Sequence, residues 1–245
     1  ESEPLGAALK QHPLFGQWRK QHSWSAETHR LASSGLKCAT NSRIRELAHL
    51  QDVENGGAWL TSRPAEVLGI TFSPPEWQAL LRLRVGVPLS GGGSTCPMCR
   101  EPDDAWGDHR PCCARCGLYR RHNQVRDFLA HQAQVAGCTV EVEPTRLLDK
   151  NERPDLAIRG FMEGSNPGEA WDVTVSHPLR QSAPSAARVT PGHSAAEAEE
   201  FKCGNGGALY FRRVLVTFRP LGWETKGAVG KKAAAGIRIL GRKIS

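Results

Sequence analysis

Apolar residues recur on two different periods along this chain, and the change of period divides it. Between residues 1 and 90 the spacing is helical and intermittent. In SRIRELAHLQDV, beginning at Ser42, Ile44, Leu47 and Leu50 stand three apart and predict an amphipathic helix. SPPEWQALLRLRV opens with Ser73 and Glu76 as a capping box around two prolines, and Leu80, Leu81 and Leu83 supply its apolar side. Nothing in this part looks catalytic. SGGGS, Ser90–Ser94, then interrupts the pattern as a flexible joint. From His122 or Asn123 a helix is predicted through QVRDFLAHQAQVA, with Val125, Phe128, Leu129 and Val135 as its buried stripe and Gly137 just past its end. The period then drops to two. CTVEVEP alternates Val140 and Val142 with Glu141 and Glu143, and DLAI and AWDVTV follow as further strands. SAAEAEEFK returns to a helix with Ser194 as N-cap. LYFRRVLVTF, rich in β-branched and aromatic residues, is the last predicted strand. From residue 122 the order is helix, strand, strand, strand, helix, strand, without an internal repeat.

The composition of the 245 residues, 39% hydrophobic and 23% charged, suits one large globular domain or two smaller ones. No run approaches ~18 uninterrupted apolar residues, so no membrane span is expected. The chain begins at Glu1 without an apolar signal core, which suggests a piece of something longer. Its net charge of +7 and pI near 9.1 are concentrated at one end. From Tyr210 to Ser245 nine basic residues, among them Arg212, Arg213, Lys231 and Lys232, face one acid, Glu224. Such a tail is either a solvated end or a surface for a polyanion such as nucleic acid.

Five of the eight cysteines fall between Cys96 and Cys116, in CPMCREPDDAWGDHRPCCARCG. That density points to a metal cluster in a reducing intracellular compartment rather than to a disulfide framework. Zinc takes four nitrogen or sulfur donors, and Cys96, Cys99, His109 and Cys113 form the best set, with Cys112 or Cys116 as alternative fourth ligands. So many cysteines can fill every position, so the expected Zn²⁺ is structural. It would supply folding energy to a loop with little core of its own. Arg110, Arg115, Arg120, Arg121 and Arg126 follow with no acid between the first and the last, a footprint suited to phosphate.

Two strands each carry one aspartate: Asp155 ahead of LAI, and Asp172 inside WDVTV. If these strands pair as a hairpin, the two carboxylates meet at one end of a sheet. Magnesium accepts a few carboxylate oxygens and keeps several waters, so such a pair is a candidate Mg²⁺ site for phosphodiester hydrolysis. A third acid would come from Glu141 or Glu143, and Glu141 is the one carried into the catalytic set. Ordinary strand-end carboxylates are the competing reading.

RPD followed by a turn and WDVTV resembles the PD-(D/E)xK restriction-endonuclease-like fold, an αβββαβ core with a mixed sheet flanked by helices. The preceding knuckle and RRHNQVRDFLA narrow the likeness to the C-terminal part of target-specific non-LTR retrotransposon polyproteins. AWLTSRP and ALLRLRVGVPL are similar to the connecting region of such elements, and the resemblance spans about residues 55–230. It implies a helical connecting segment over residues 1–93, a zinc knuckle over 94–121, and an endonuclease domain with a basic tail over 122–245. It further implies a Mg²⁺-dependent nuclease that nicks target DNA for target-primed reverse transcription in the nucleus. Its partners would be DNA, with the element RNA as a further candidate, and a parent polyprotein bearing the reverse transcriptase. Thr174 stands where the general pattern has lysine; in the retroelement enzymes that lysine moves to the next helix, where Lys202 matches. A helix-surface ion pair with Glu199 competes for Lys202. The alternative to an active enzyme is an inactive, zinc-dependent nucleic-acid-binding remnant of the same module.

Overall fold

The computed structural model describes residues 21–53, 60, 71–145, 153–161, 168–204 and 217–245. Helices α1 (Gln21–Lys37), α2 (Ser42–Leu50) and α3 (Pro74–Val85) come first. The Asn41 side chain accepts from the amides of Arg43 and Ile44 and so starts α2, whose Leu47 and Leu50 are buried against Leu179. α3 has the expected capping box, but none of its residues is buried. Its leucines Leu80 and Leu83 line a shallow pocket instead of a core.

A short helix, α4 (His109–Cys112), sits within the cysteine loop, and α5 (Leu118–Val135) follows it. α5 begins four or five residues before the predicted start at His122 or Asn123, directly after Gly117 at φ 90°. Its inward face is also rotated from the predicted one. Arg126, Leu129, Ala130 and Ala133 are buried, whereas Phe128 and Val135 are 59% and 54% exposed. The small alanines let α5 lie close to the sheet, and Arg126 is tolerated inside because Asp127 and Glu143 pair with it. Gly137, at φ 78°, donates to the Gln134 carbonyl and closes the helix as expected.

Strands β1 (Thr139–Val142), β2 (Leu156–Arg159), β3 (Glu169–Ser176) and β4 (Thr217–Glu224) form one open mixed sheet in the order β1-β2-β3-β4. β1, β2 and β3 are antiparallel neighbours, while β4 runs parallel to β3 after a crossover through α6 (Ser185–Val189) and α7 (His193–Gly204). The last strand starts later than LYFRRVLVTF predicts. Residues 209–216 of that stretch lie outside the described residues, and β4 runs on through Pro220 to Glu224. Pro220 is accommodated because β4 is an edge strand, where a missing ladder donor costs least. Helix α8 (Lys231–Ile244) ends the chain.

One face of the sheet holds the main core. Leu156, Ile158, Trp171, Val173 and Leu221 pack with Leu129, Ala130 and Ala133 of α5 and Ala233 and Leu240 of α8. Trp171 is fully buried, meets Phe161 edge-on at 5.0 Å, and donates to Glu169 at 2.7 Å. Arg219 then closes Glu169 with two hydrogen bonds of 2.7 and 2.8 Å.

α7 packs over β3 and β4, placing Lys202 at Asp172. A Cβ on Gly222 of β4 would stand 2.3 Å from the Ala195 carbonyl oxygen, so the helix touches the strand only because that residue is glycine. Two carboxylates then lock the layers. Glu224 accepts from the amides of Gly192 (3.1 Å), Ser194 (2.8 Å) and Ala195 (3.4 Å), so it, and not the Ser194 side chain, serves the start of α7. Glu199 of α7 in turn accepts from Lys232 and Ala233 at the start of α8, at 3.1 and 3.0 Å, and from Gly222 at 3.2 Å. Burial pushes the Glu224 carboxyl above the ordinary range, against the amides that favour its charge.

Candidate functional site

The cysteine loop is shaped by its own backbone. Both C-x-x-C turns are followed by a left-handed residue, Arg100 at φ 67° and Gly117 at φ 90°. Amides of Met98 and Cys99 point at the Cys96 sulfur, and those of Arg115 and Cys116 at the Cys113 sulfur. Asp104 accepts from the amides of Trp106, Asp108 and His109, which fixes the turn that delivers the imidazole. As a result the donor atoms of Cys96, Cys99, His109 and Cys113 all lie within 4.8 Å of one another. Three thiols and one imidazole at that separation could hold a metal such as zinc. Cys116 borders the group through Cys96, sulfur to sulfur at 3.1 Å, whereas Cys112 is exposed and outside it. The Cys99 amide, and next the Cys116 thiol, draw Cys96 down to about 6. The same contact with Cys96 pushes Cys116 up to about 12.

The adjoining Asp108 ties this loop to the rest of the molecule. Its carboxylate takes both terminal nitrogens of Arg43 from α2, with Arg43 Nη2 at 3.0 Å. His177, past β3, approaches at 3.1 Å and Lys226, past β4, at 3.9 Å. Although burial opposes it, His177 and Arg43 hold the Asp108 carboxyl far below the usual carboxylate range. Burial conversely lowers His177 and Lys226.

The acidic pair arises from register. Leu156 pairs with Trp171, so the preceding Asp155 stands across from the following Asp172. Their carboxyl groups are close enough to shift each other's protonation. Lys202 Nζ donates to Asp172 Oδ2 at 2.8 Å, and its partner is therefore not Glu199, which faces inward to the α8 amides. Asp155 Oδ2 accepts from the Val173 amide at 2.6 Å and meets His122 Nε2 at 3.0 Å. The two acids differ in consequence. Burial and then the neighbouring Asp155 raise Asp172, against the lysine; at Asp155 burial is outweighed by His122 and the Val173 amide, which lower it.

Glu141 sits two rows away from this pair, opposite Ala157, and is exposed. The acid in the same row is Glu143, whose amide donates to the Asp155 carbonyl at 2.9 Å and whose carboxylate pairs with Arg126. The basic residues divide similarly. Arg115 and Arg120 are exposed, as is Arg110, which holds Asp103 at 3.0 Å. Arg121 donates to the Pro111 carbonyl and Arg126 is buried between two acids, so both serve the fold. Lys231 and Lys232 are exposed at the start of α8, with Lys232 Nζ against Cys203, next to Lys202. Arg212 and Arg213 lie outside the described residues.

His122 is the site residue that sequence reasoning missed. A histidine in the first turns of a helix carries no spacing signal linking it to an aspartate 33 residues on. The chain matches no protein-family model and no curated protein. Among the described residues, no helix is long and apolar enough to cross a membrane.

Proposed function

We propose that this chain is the zinc-knuckle and restriction-like endonuclease part of a target-specific retroelement polyprotein, with a PD-(D/E)xK core that nicks DNA. The observation that carries the reading is the convergence of Asp155, Asp172 and Lys202 on one end of the mixed sheet. Paired carboxylates with a lysine are what metal-assisted attack of water on a phosphodiester requires. Asp155 and Asp172 would hold Mg²⁺, and their donor chemistry fits it: two adjacent carboxylates offer hard oxygens and leave room for water. When bound, that cation offsets phosphate charge and makes water more acidic. Lys202 opposes the burial and the neighbouring acid that raise Asp172 and, released toward substrate, steadies charge on the attacked phosphate. Exposed Arg115, Arg120, Lys231 and Lys232 grip the flanking backbone. Water attacks phosphorus, the P–O3′ bond breaks, and the 3′ hydroxyl released on target DNA is the primer for reverse transcription by the parent polyprotein in the nucleus. The cysteine cluster holds structural Zn²⁺ and places α5, and the element RNA is a second candidate partner.

A second reading, an inactive zinc-dependent nucleic-acid-binding remnant, draws on one observation. Among the described residues no third His, Cys, Asp or Glu joins the aspartate pair to make a larger metal-binding group. Nicking of supercoiled plasmid with Mg²⁺ or Mn²⁺ separates the two. Cleavage that vanishes in Asp155→Ala and Asp172→Ala supports the enzyme, while salt-sensitive binding without cleavage supports the remnant.

A further inference from the structure

Among the described residues, each aspartate of the pair takes its donors through Oδ2. Asp172 Oδ2 takes Lys202 Nζ at 2.8 Å, and Asp155 Oδ2 takes the Val173 amide at 2.6 Å and His122 Nε2 at 3.0 Å. A carboxylate oxygen has about two lone-pair directions, so Asp155 Oδ2 is filled by this pair of donors. What remains for a cation is Oδ1. The two donors to Asp155 differ in kind: the Val173 amide belongs to the ladder beside it, but His122 reaches in from α5, on another element. The imidazole is half-buried, and its other nitrogen, Nδ1, lies 3.3 Å from Asn123 Oδ1, which restrains the ring. His122 also stands only five residues beyond Gly117, where the cysteine loop turns into α5.

We propose that His122 is a positioning residue of the nuclease site, its Nε2–H fixing Asp155 Oδ2 so that Oδ1 is turned to the divalent cation. This deepens the endonuclease reading and rests on it. Carboxylates that bind metals are commonly oriented by such outer donors, and loss of one typically costs 10–100-fold in metal affinity. His122 touches neither phosphate nor water in this role. It matters because, without the imidazole, the Val173 amide alone of these two donors is left to set the rotation of the Asp155 side chain.

The test is Mn²⁺ binding to the zinc-loaded chain, followed by electron paramagnetic resonance, alongside the Mn²⁺ dependence of plasmid nicking. His122→Phe keeps the ring volume without the donor, and His122→Gln returns an N–H near the position of Nε2. Asp172→Asn reports how much Mn²⁺ binding belongs to the pair. The expected result is affinity about 10–100-fold weaker in His122→Phe, largely restored in His122→Gln. Half-maximal nicking should move to higher Mn²⁺ by the same factor, with the rate at saturating metal little changed. Wild-type affinity in His122→Phe, or equal weakness in His122→Gln, overturns the proposal and leaves the endonuclease reading standing. If the wild type shows no Mn²⁺ binding that Asp172→Asn removes, both fall together. Should His122→Phe unfold, His122→Ala and His122→Gln decide by the same comparison.

Discussion

Asp108→Asn tests whether the carboxylate beside the cysteine cluster joins the layers of the molecule. The substitution keeps the volume and one carbonyl oxygen but removes the charge that faces Arg43, His177 and Lys226. The side chains of Arg43 and Asp108 are 13% and 17% exposed, little enough that the values measured for buried pairs apply. Removing one partner of such a pair costs about 3–5 kcal/mol, and the retained oxygen argues for the lower end, about 3 kcal/mol. At about 2–4 °C per kcal/mol for a chain of this size, the melting temperature should fall by about 6–12 °C. The pH dependence follows from the direction of the shift. A carboxyl held below its unfolded value contributes stability that is present above that value and lost as pH falls through the folded one. With an unfolded value near ~3.9, the gap between wild type and variant should shrink by about 1 kcal/mol between pH 7 and pH 3. Urea unfolding followed by circular dichroism, at equal metal loading, measures both. A variant within about 0.5 kcal/mol of wild type at pH 7, the scatter of ordinary surface changes, or a gap that widens on acidification would refute the reasoning.

Three further outcomes are expected. Glu199→Gln leaves one amide at the start of α8 facing a donor and should cost about 2–4 kcal/mol, read by chemical denaturation; a neutral result would mean the amides find water instead. Gly222→Ala forces its methyl against the Ala195 carbonyl, should cost about 2–3 kcal/mol, and should weaken nicking by displacing Lys202, so intact stability with intact nicking would contradict the packing described. Stripping metal with a chelator should unfold the cysteine loop and reduce DNA affinity, as should Cys96→Ser, monitored by circular dichroism and by binding at fixed salt; unchanged binding in both would remove the cluster from the DNA-binding surface.

Much of the sheet is legible in the chain because alternation and turn residues are local. The β2–β3 hairpin follows from DLAI and WDVTV, and its register alone brings Asp155 opposite Asp172. The Cys96, Cys99, His109 and Cys113 grouping is legible for a similar reason, since a short loop leaves its donors few other places to go. What could not be read depends on partners far along the chain. Arg126 faces inward, and Phe128 outward, because Asp127 and Glu143 neutralise the arginine and alanines give the closer fit. Ser194 has the right residue type for an N-cap, yet an acid 30 residues later serves that helix end. His122 likewise acquires meaning only through the fold. Propensity sees a residue and its near neighbours, whereas these positions are decided by what the topology delivers to them.

Glu224 also bears on the order in which the chain is made. Lys202 leaves the ribosome 22 residues before Glu224, on a helix where the amides of Gly192, Ser194 and Ala195 at its start take Glu224 of β4 as acceptor. A growing chain can therefore close the hairpin and oppose its two aspartates while the lysine is still unplaced. In the folded chain α7 rests on Gly222 of that edge strand, and Lys202 meets Asp172. A chain that stops before Thr217 lacks both the Glu224 acceptor and the Gly222 seat of the helix that carries Lys202, and is expected to pair its aspartates without the Lys202 contact.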